Sequence, residues 1–245
     1  MHAKYETKRV FRIILLALEY LGLYPAKNAS VSYYIYSFLL NTIVTVYYPI
    51  TMVVDLFLSE DPSQLFQNTS VTFAETLCTI QSLDTFFKRK QLRRINELLE
   101  HLDNRVEEVN DRDEQRYLER IVKTANRILV SYFIPFTVVA STCFLPAIFS
   151  EKRRLLYSAW FPVDWENSDT TYYIITTYQL IGIWISIYQN MLNDSYPGLY
   201  LWILKGHFRA LNIRVSKIGH GLRKTSEEYY EELVKCIGDY KILLE

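Results

Sequence analysis

Between Thr171 and Leu204 the chain reads TYYIITTYQLIGIWISIYQNMLNDSYPGLYLWIL, and no other stretch restricts its fold as strongly. Tyr172 to Met191 is twenty residues without a formal charge. At about 1.5 Å of rise per residue, this part alone covers the roughly 30 Å hydrocarbon layer of a bilayer. The run then resumes with Leu199, Leu201, Trp202, Ile203 and Leu204 after the polar break Asn193, Asp194, Ser195, Pro197 and Gly198. As one helix the whole run is about 50 Å long, so its excess leaves the lipid, and apolar surface outside lipid needs a protein cover. The expectation is a spanning helix with a buried cytoplasmic extension. The alternative is a span followed by an interfacial helix broken at Pro197.

The average composition, 50% hydrophobic and 22% charged with zero net charge, conceals a segregation of charge into a few loops. No basic face stands out from the neighbouring acids, so nucleic acid is not an expected partner. The three cysteines, Cys78, Cys143 and Cys236, form no CxxC and lie near no histidine pair. They read as small buried apolar residues rather than a disulfide framework or a zinc site.

In chain order, Val10, Ile13, Ile14, Ala17, Leu18 and Leu21 recur at helical spacing beside Arg9, Arg12 and Glu19. This pattern predicts an amphipathic helix at the membrane surface. Tyr33–Leu58 is the first span, with Pro49 a kink point, and Ser59–Gln67 reads as a short acidic loop. Val71–Phe87 is a weaker span because it carries Glu75 and Asp84. A central carboxylate costs about 2.5 to 3.5 kcal/mol, more than several aliphatic residues return.

In the charged stretch Lys88–Arg127, Leu92, Ile95, Leu99, Leu102, Val106 and Val109 form a two-heptad apolar seam. Such a seam requires a partner helix, and an antiparallel helical hairpin is the simplest source of one. Ile128–Phe149 is uncharged and spans again. The loop after it contains AWFPVDWENS, whose Trp160, Phe161 and Trp165 suit the headgroup level. Leu233, Ile237, Tyr240 and Leu244 keep helical spacing to the last residues, with no stop signal, which reads as truncation.

The expected fold is therefore all-α, a polytopic membrane helix bundle. A cytoplasmic arm (1–32) precedes four spans (about 33–58, 71–87, 128–149 and 171–204), with a hairpin (88–127) and a cytoplasmic helical tail (205–245). The outer side of this arrangement holds only Lys152, Arg153 and Arg154, which assigns the N-terminus to the cytoplasm.

The sequence contains no phosphate-binding glycine loop, no GxSxG and no HExxH, and His2, His101, His207 and His220 are scattered. Neither an enzyme, a metal nor a cofactor is expected. Glu75 or Asp84 could serve an ion path, though an interfacial or hydrogen-bonded carboxylate is the simpler reading. The outer halves of the spans offer an apolar cavity with a few hydroxyls, suited to small volatile ligands. Ser141, Phe144 and Ile148 are placed to face Tyr178, Ile181 and Ile185, with Phe73 and Leu77 nearby. Ordinary helix packing would use the same residues.

ALEYLGLYP, AWFPVDWENS, NDSYPGLYLWILKGHFRALNIRVSKIGH and CIGDYKILL, in this order and spacing, resemble the insect odorant receptors over essentially the whole chain. Gustatory receptors share the architecture and are the near alternative. A non-channel membrane adaptor working through the heptad seam is another, and a transporter fragment dependent on Glu75 or Asp84 a third.

The resemblance implies a seven-helix subunit with a cytoplasmic N-terminus, in the membrane of a sensory neuron dendrite. It implies cation flow gated by small volatile ligands, in a tetrameric hetero-oligomer with a co-receptor. The ligand pocket would lie among helices two, three, four and six, and the pore along helix seven. Subunit contacts would come from the long fourth helix and the cytoplasmic helices, here Leu199, Trp202, Ile203, Leu233, Ile237 and Tyr240. This chain ends where the fifth helix of that pattern begins, so the expectation is a product that does not conduct alone.

Overall fold

The computed structural model describes residues 5–59, 62–142, 145, 149, 153–220 and 225–244. Among these the regular structure is all helical: α1 (Lys8–Tyr20), α2 (Val31–Leu40), a π-helix (Asn41–Tyr47), α3 (Tyr48–Leu58), α4 (Pro62–Phe87), α5 (Arg89–Val109), α6 (Arg112–Thr142), α7 (Asp169–Lys217) and α8 (Ser226–Leu244). The apolar run Thr171–Leu204 lies in one helix, α7, which passes through Pro197 unbroken. The chain divides into two compact units.

The first unit comprises Met1–Ile14, Lys90–Ser131 and Ser195–Glu245. Its core closes over the α5 seam. Leu92, Leu99, Leu102 and Val106 are buried, Leu102 against Leu211, Cys236 and Leu243, and Val106 against Leu118 and Ala210. The partner that the seam required is thus supplied by α7 and α8 as well as by α6. Leu199 and Ile203 are fully buried, as the apolar extension demanded.

The caps are legible. Asn110 takes the left-handed conformation at φ 51° after α5, and Asp111 Oδ1 accepts from the Asp113 amide at 2.8 Å to start α6. Thr225 and Glu228 form a reciprocal capping box at α8, with Thr225 N donating to Glu228 Oε2 at 2.6 Å and Glu228 N to Thr225 Oγ1 at 3.3 Å.

The second unit comprises Leu15–Arg89 and Tyr132–Asp194. Among the described residues, Val31–Leu58 is the one helix long and apolar enough to cross a membrane by length and composition. Pro49 lies in the first turn of α3, directly after the π-turn. Proline lacks an amide hydrogen and its ring excludes the carbonyl four residues back, which here is Thr45 O. That carbonyl accepts instead from Thr79 Oγ1 on α4 at 2.7 Å.

The expected loop Ser59–Gln67 is shorter than read, because α4 already begins at Pro62, a residue suited to the first helical turn. On α1 the packed face is Val10, Phe11, Ile14, Leu15 and Leu18, while Ile13 is exposed. This helix therefore packs on protein instead of lying free on a lipid surface.

The second unit buries polar side chains beside its apolar core of Tyr48, Met52, Ala159 and Ile183, and exposes large apolar ones. The α7 residues Gln179, Ser186 and Gln189 are buried, whereas Tyr173, Ile174 and Ile181 are exposed. Small and polar residues inside with large apolar residues outside is the arrangement that lipid favours.

Candidate functional site

Tyr178 is the best placed of the expected pocket residues. Its hydroxyl donates to Ile43 O at 2.6 Å, and its ring meets those of Tyr48 and Phe161 edge-on at 6.1 and 6.0 Å. It borders a core of Tyr48, Met52, Ala159 and Ile183. Ser141 and Ile185 each lie about one turn from a direct α6–α7 contact, in which Thr137 Oγ1 meets Tyr188 Oη at 3.2 Å. The Ser141 hydroxyl itself bonds back to Thr137 O at 2.7 Å.

Phe73, Leu77 and Ile181 are 64%, 44% and 53% exposed, on the outer surface of this unit. Phe144, Ile148 and Cys143 lie outside the described residues. The expected site is thus split between a packed aromatic centre at Tyr178 and an open apolar face.

The polar groups that organise this unit were not foreseen. Gln179 is fully buried; its Oε1 accepts from Leu156 N at 3.0 Å and its Nε2 donates to Tyr157 O at 2.9 Å, pinning the loop that contains AWFPVDWENS. In that loop Trp160 N donates to Thr51 O at 3.0 Å. Gln189 ties three helical segments together: its Nε2 donates to Thr45 Oγ1 at 3.1 Å and its Oε1 accepts from Ser82 Oγ at 3.3 Å. Asn193 extends the seam, donating to Ser82 Oγ at 3.2 Å and accepting from Thr85 Oγ1 at 2.9 Å. The signal was present as Gln179, Gly182, Ser186, Gln189 and Asn193, a small and polar stripe at heptad spacing inside an apolar run.

The expected assembly residues separate by unit face. Leu199 and Ile203 are consumed in the first unit's own core. Leu233, Ile237 and Tyr240 remain exposed on α8, with the Tyr240 ring also edge-on to Phe208 at 6.3 Å. Trp202 is half-buried and stacks beneath Lys205 Nζ at 5.2 Å from the ring centre.

The titratable groups of the first unit are structural. Thr7 Oγ1 donates to Asp103 Oδ1 at 2.8 Å, and Lys8 N donates to Asp103 Oδ2 at 2.9 Å, so Asp103 caps α1 from a distance in sequence. Burial nevertheless raises the Asp103 carboxyl to about 6, against the pull of those hydrogen bonds. His207 is held down at about 4, first by its complete burial and second by Arg214, and is neutral near pH 7.

Arg214 bonds Glu114 through Nε at 3.1 Å and Nη2 at 2.8 Å, and Asp239 through Nη1 at 2.5 Å. An open cleft of about 570 Å³ beside this network is lined by Arg105, Glu108, Lys217, Glu232 and Lys235 among others. Its mixed charges do not suit an apolar volatile. Among the described residues no group of His, Cys, Asp and Glu is placed to hold a metal.

The family model described as 7tm Odorant receptor matches residues 61–245. The chain belongs to the insect odorant receptor family. It is 33% identical to Odorant receptor 2a of Drosophila melanogaster over 224 residues, covering 88% of this chain and 56% of that protein. It is 28% identical to Odorant receptor 59a of the same fly over 242 residues, covering 98% of this chain and 59% of that protein.

This odorant receptor chain therefore spans a little over half the length of the curated relatives it matches. Its fold is similar to the solved insect olfactory receptor OR5 from Machilis hrabei, with a TM-score of 0.73 at 16% identity over 99% of this chain and 66% of the other. The same similarity holds for that receptor in complex with eugenol. The odorant receptor family is one of membrane receptors and not of enzymes.

Proposed function

We propose that this chain forms the ligand-sensing and cytoplasmic parts of an odorant receptor subunit, which gates cation flow together with a co-receptor in a hetero-oligomer. The family match across residues 61–245 carries this reading. Its physical support is the second unit's lipid-type surface around an aromatic centre at Tyr178. A pocket bordered by Tyr178, Ser141 and Ile185 has an aromatic ring, two hydroxyls and an aliphatic wall, which suits a small volatile with a single polar group. Phe144 and Ile148 are proposed to complete it. The exposed α8 residues Leu233, Ile237 and Tyr240 are proposed for subunit contact, alongside the half-buried Trp202.

The basic residues concentrate on the side of the N-terminal arm, the α5–α6 hairpin and the segment after α7, and this side is proposed to be cytoplasmic. Four spans, with Val31–Leu58 as the first, fit that count. The test places the 245-residue chain in lipid nanodiscs and displaces a fluorescent apolar probe with a panel of volatile phenols, esters and alcohols. Displacement by a subset, lost in Y178A and I185A at unchanged helicity, is the expected result. Displacement that is identical in the variants, or absent for every volatile, sinks the ligand-sensing reading.

A further inference from the structure

We propose that the outer faces of α5 and α6 form a self-complementary contact between two copies of this chain, in which the acids of one copy's α5 meet the cations of the other copy's α6, and the reverse. On α6, Arg112, Arg116, Arg120, Lys123 and Arg127 are all exposed. At 3.6 residues per turn they fall within about 80° of arc and run for about 22 Å along the helix. Leu118, Ile121 and Ala125, which are buried, lie on the opposite side. Among the described residues none of the five cations has an acid as its partner. The acids beside the row are engaged elsewhere: Lys217 Nζ donates to Asp113 Oδ2 at 2.7 Å, and Arg214 Nη2 to Glu114 Oε2 at 2.8 Å. Glu119 stands at the edge of the row.

The neighbouring helix carries the opposite sign. Glu97, Glu100, Glu107 and Glu108 are exposed on α5, while Arg105 in the same stretch is mostly buried and bonds Asp239 at 3.2 Å. Glu100 accepts from Lys8 Nζ at 3.0 Å and Glu108 meets Arg105. Both are surface pairs, which contribute little and exchange readily. Ala210 of α7 packs against both Val106 of α5 and Leu118 of α6. The faces of α5 and α6 that look away from α7 therefore look the same way.

The two rows are also in register. Only Asn110 and Asp111 separate the helices, so the hairpin is antiparallel and residues equally far from this turn lie level. Glu107 and Glu108 stand level with 113–114, between Arg112 and Arg116. Glu100 stands level with 121, beside Arg120, and Glu97 with 124, beside Lys123. Each acid is within about 3 Å of rise of a cation. A two-fold axis parallel to the hairpin preserves these levels and sets α5 of each copy against α6 of the other.

A solvated face mixes its signs, because like charges four residues apart on a helix repel. Here Arg112, Arg116 and Arg120, and Lys123 and Arg127, are spaced in that unfavourable way. A second copy offers the matching acids at the matching heights and relieves the repulsion. Such a contact takes its specificity from the charge pattern and weakens with salt. Ligand sensing plays no part in it, so its failure and that of the odorant reading are separate events.

The test mixes two differently tagged copies of the full 245-residue chain in zwitterionic detergent, with micelles in excess, and captures one tag. Co-capture is expected at low salt, falling about tenfold in about 0.5 M salt. It should fall as far in E97R/E107R alone and in R116E/K123E alone. Mixing these two variants should restore it, because reversed acids then face reversed cations at the same levels and the other half of the contact is unaltered. K235Q/K241Q on α8 should leave it unchanged. In the wild-type chain, a carbodiimide should join Lys123 of an isotope-labelled copy to Glu97 or Glu100 of an unlabelled one, which keeps the test open if a variant folds poorly.

No co-capture of the wild-type chain at low salt overturns the proposal. So does co-capture that survives either charge reversal, that falls equally in K235Q/K241Q, or that the mixture of two variants of wild-type helicity fails to restore. Carbodiimide products of Lys123 confined to single copies overturn it without any variant.

Discussion

His207 Nε2 stands 3.6 Å from Asp103 Oδ1, with Thr7 Oγ1 between them at 2.9 and 2.8 Å. The pair shares protons in a way that hides from an ordinary pH scan. Asp103 is raised from 3.8 to about 6, so its contribution is present below about 4 and lost as pH rises through 6. His207 is lowered from 6.5 to about 4, so its contribution is present above 6.5 and lost as pH falls through 4. Between about 4 and 6 the folded chain holds its proton on Asp103 and the unfolded chain holds one on His207, and the two slopes cancel.

Removing one partner should expose the other. In D103N the thermal midpoint in detergent should rise with pH from 4 to 6.5, and in H207Q it should fall from pH 4 to 6. The wild-type chain should be nearly flat across that window. The span of each single-variant effect is on the order of 2 kcal/mol. A wild-type profile as steep as either variant would refute the shared-proton account.

Arg214 supplies a second test. Its partner Glu114 has a fully buried side chain and Asp239 a nearly buried one, at 2.8 and 2.5 Å. Truncation leaves the buried Glu114 without its cation in low dielectric, while Asp239 keeps Arg105 Nε at 3.2 Å, so R214A should cost about 3 kcal/mol or more in unfolding experiments. The uncharged replacement of both partners, R214M/E114Q, should recover a large part of that loss. Additive costs would mean that the network carries no coupling.

Much of this architecture could be read from the residues, and the parts that could not share a physical cause. The α7 run, the α5 seam and the Asn110–Asp111 turn follow from periodicity and caps, which are local. The extent of α4 was misjudged because Pro62 was read as a loop residue and not as the start of a helix. The packed face of α1 was assigned to lipid because periodicity reports an apolar stripe without naming what covers it. Gln179 and Gln189 were passed over as dilution of an apolar helix. In a lipid-facing bundle the polar stripe is the buried one, and hydrophobic patterning points the wrong way. For the same reason Phe73, Leu77 and Ile181, chosen as pocket lining for their apolarity, lie on the outer face.

Gly22 is predicted to resist substitution. Its φ is +72°, and a Cβ there would meet Asn41 Nδ2 at 2.8 Å and Ser37 Cα at 3.1 Å. The left-handed conformation alone costs a non-glycine residue about 1 to 2 kcal/mol, and the backbone contact adds to it. Its carbonyl also accepts from Ser37 Oγ and, at 3.2 Å, from Asn41 Nδ2. G22A should therefore lower stability by about 2 kcal/mol or more, whereas alanine at the unencumbered Gly238, where nothing lies within 4 Å, should raise it slightly. Equal responses at the two sites, measured by thermal unfolding, would contradict this.

The π-turn allows a double-mutant test of why Thr79 is where it is. Pro49 cannot donate to Thr45 O, and Thr79 Oγ1 occupies that carbonyl at 2.7 Å while also meeting Glu75 O at 3.0 Å. T79V alone strands the carbonyl, at a cost of about 1 kcal/mol. P49A restores an amide hydrogen that can close onto Thr45 O in an ordinary α-turn, so the hydroxyl becomes dispensable. In a cycle of T79V, P49A and the pair, the cost of T79V should shrink by about half or more in the P49A background. Backbone hydrogen exchange should in the same background show slower exchange across residues 41–49. If T79V costs the same with and without Pro49, the hydroxyl is not substituting for the missing backbone bond, and the turn has some other cause.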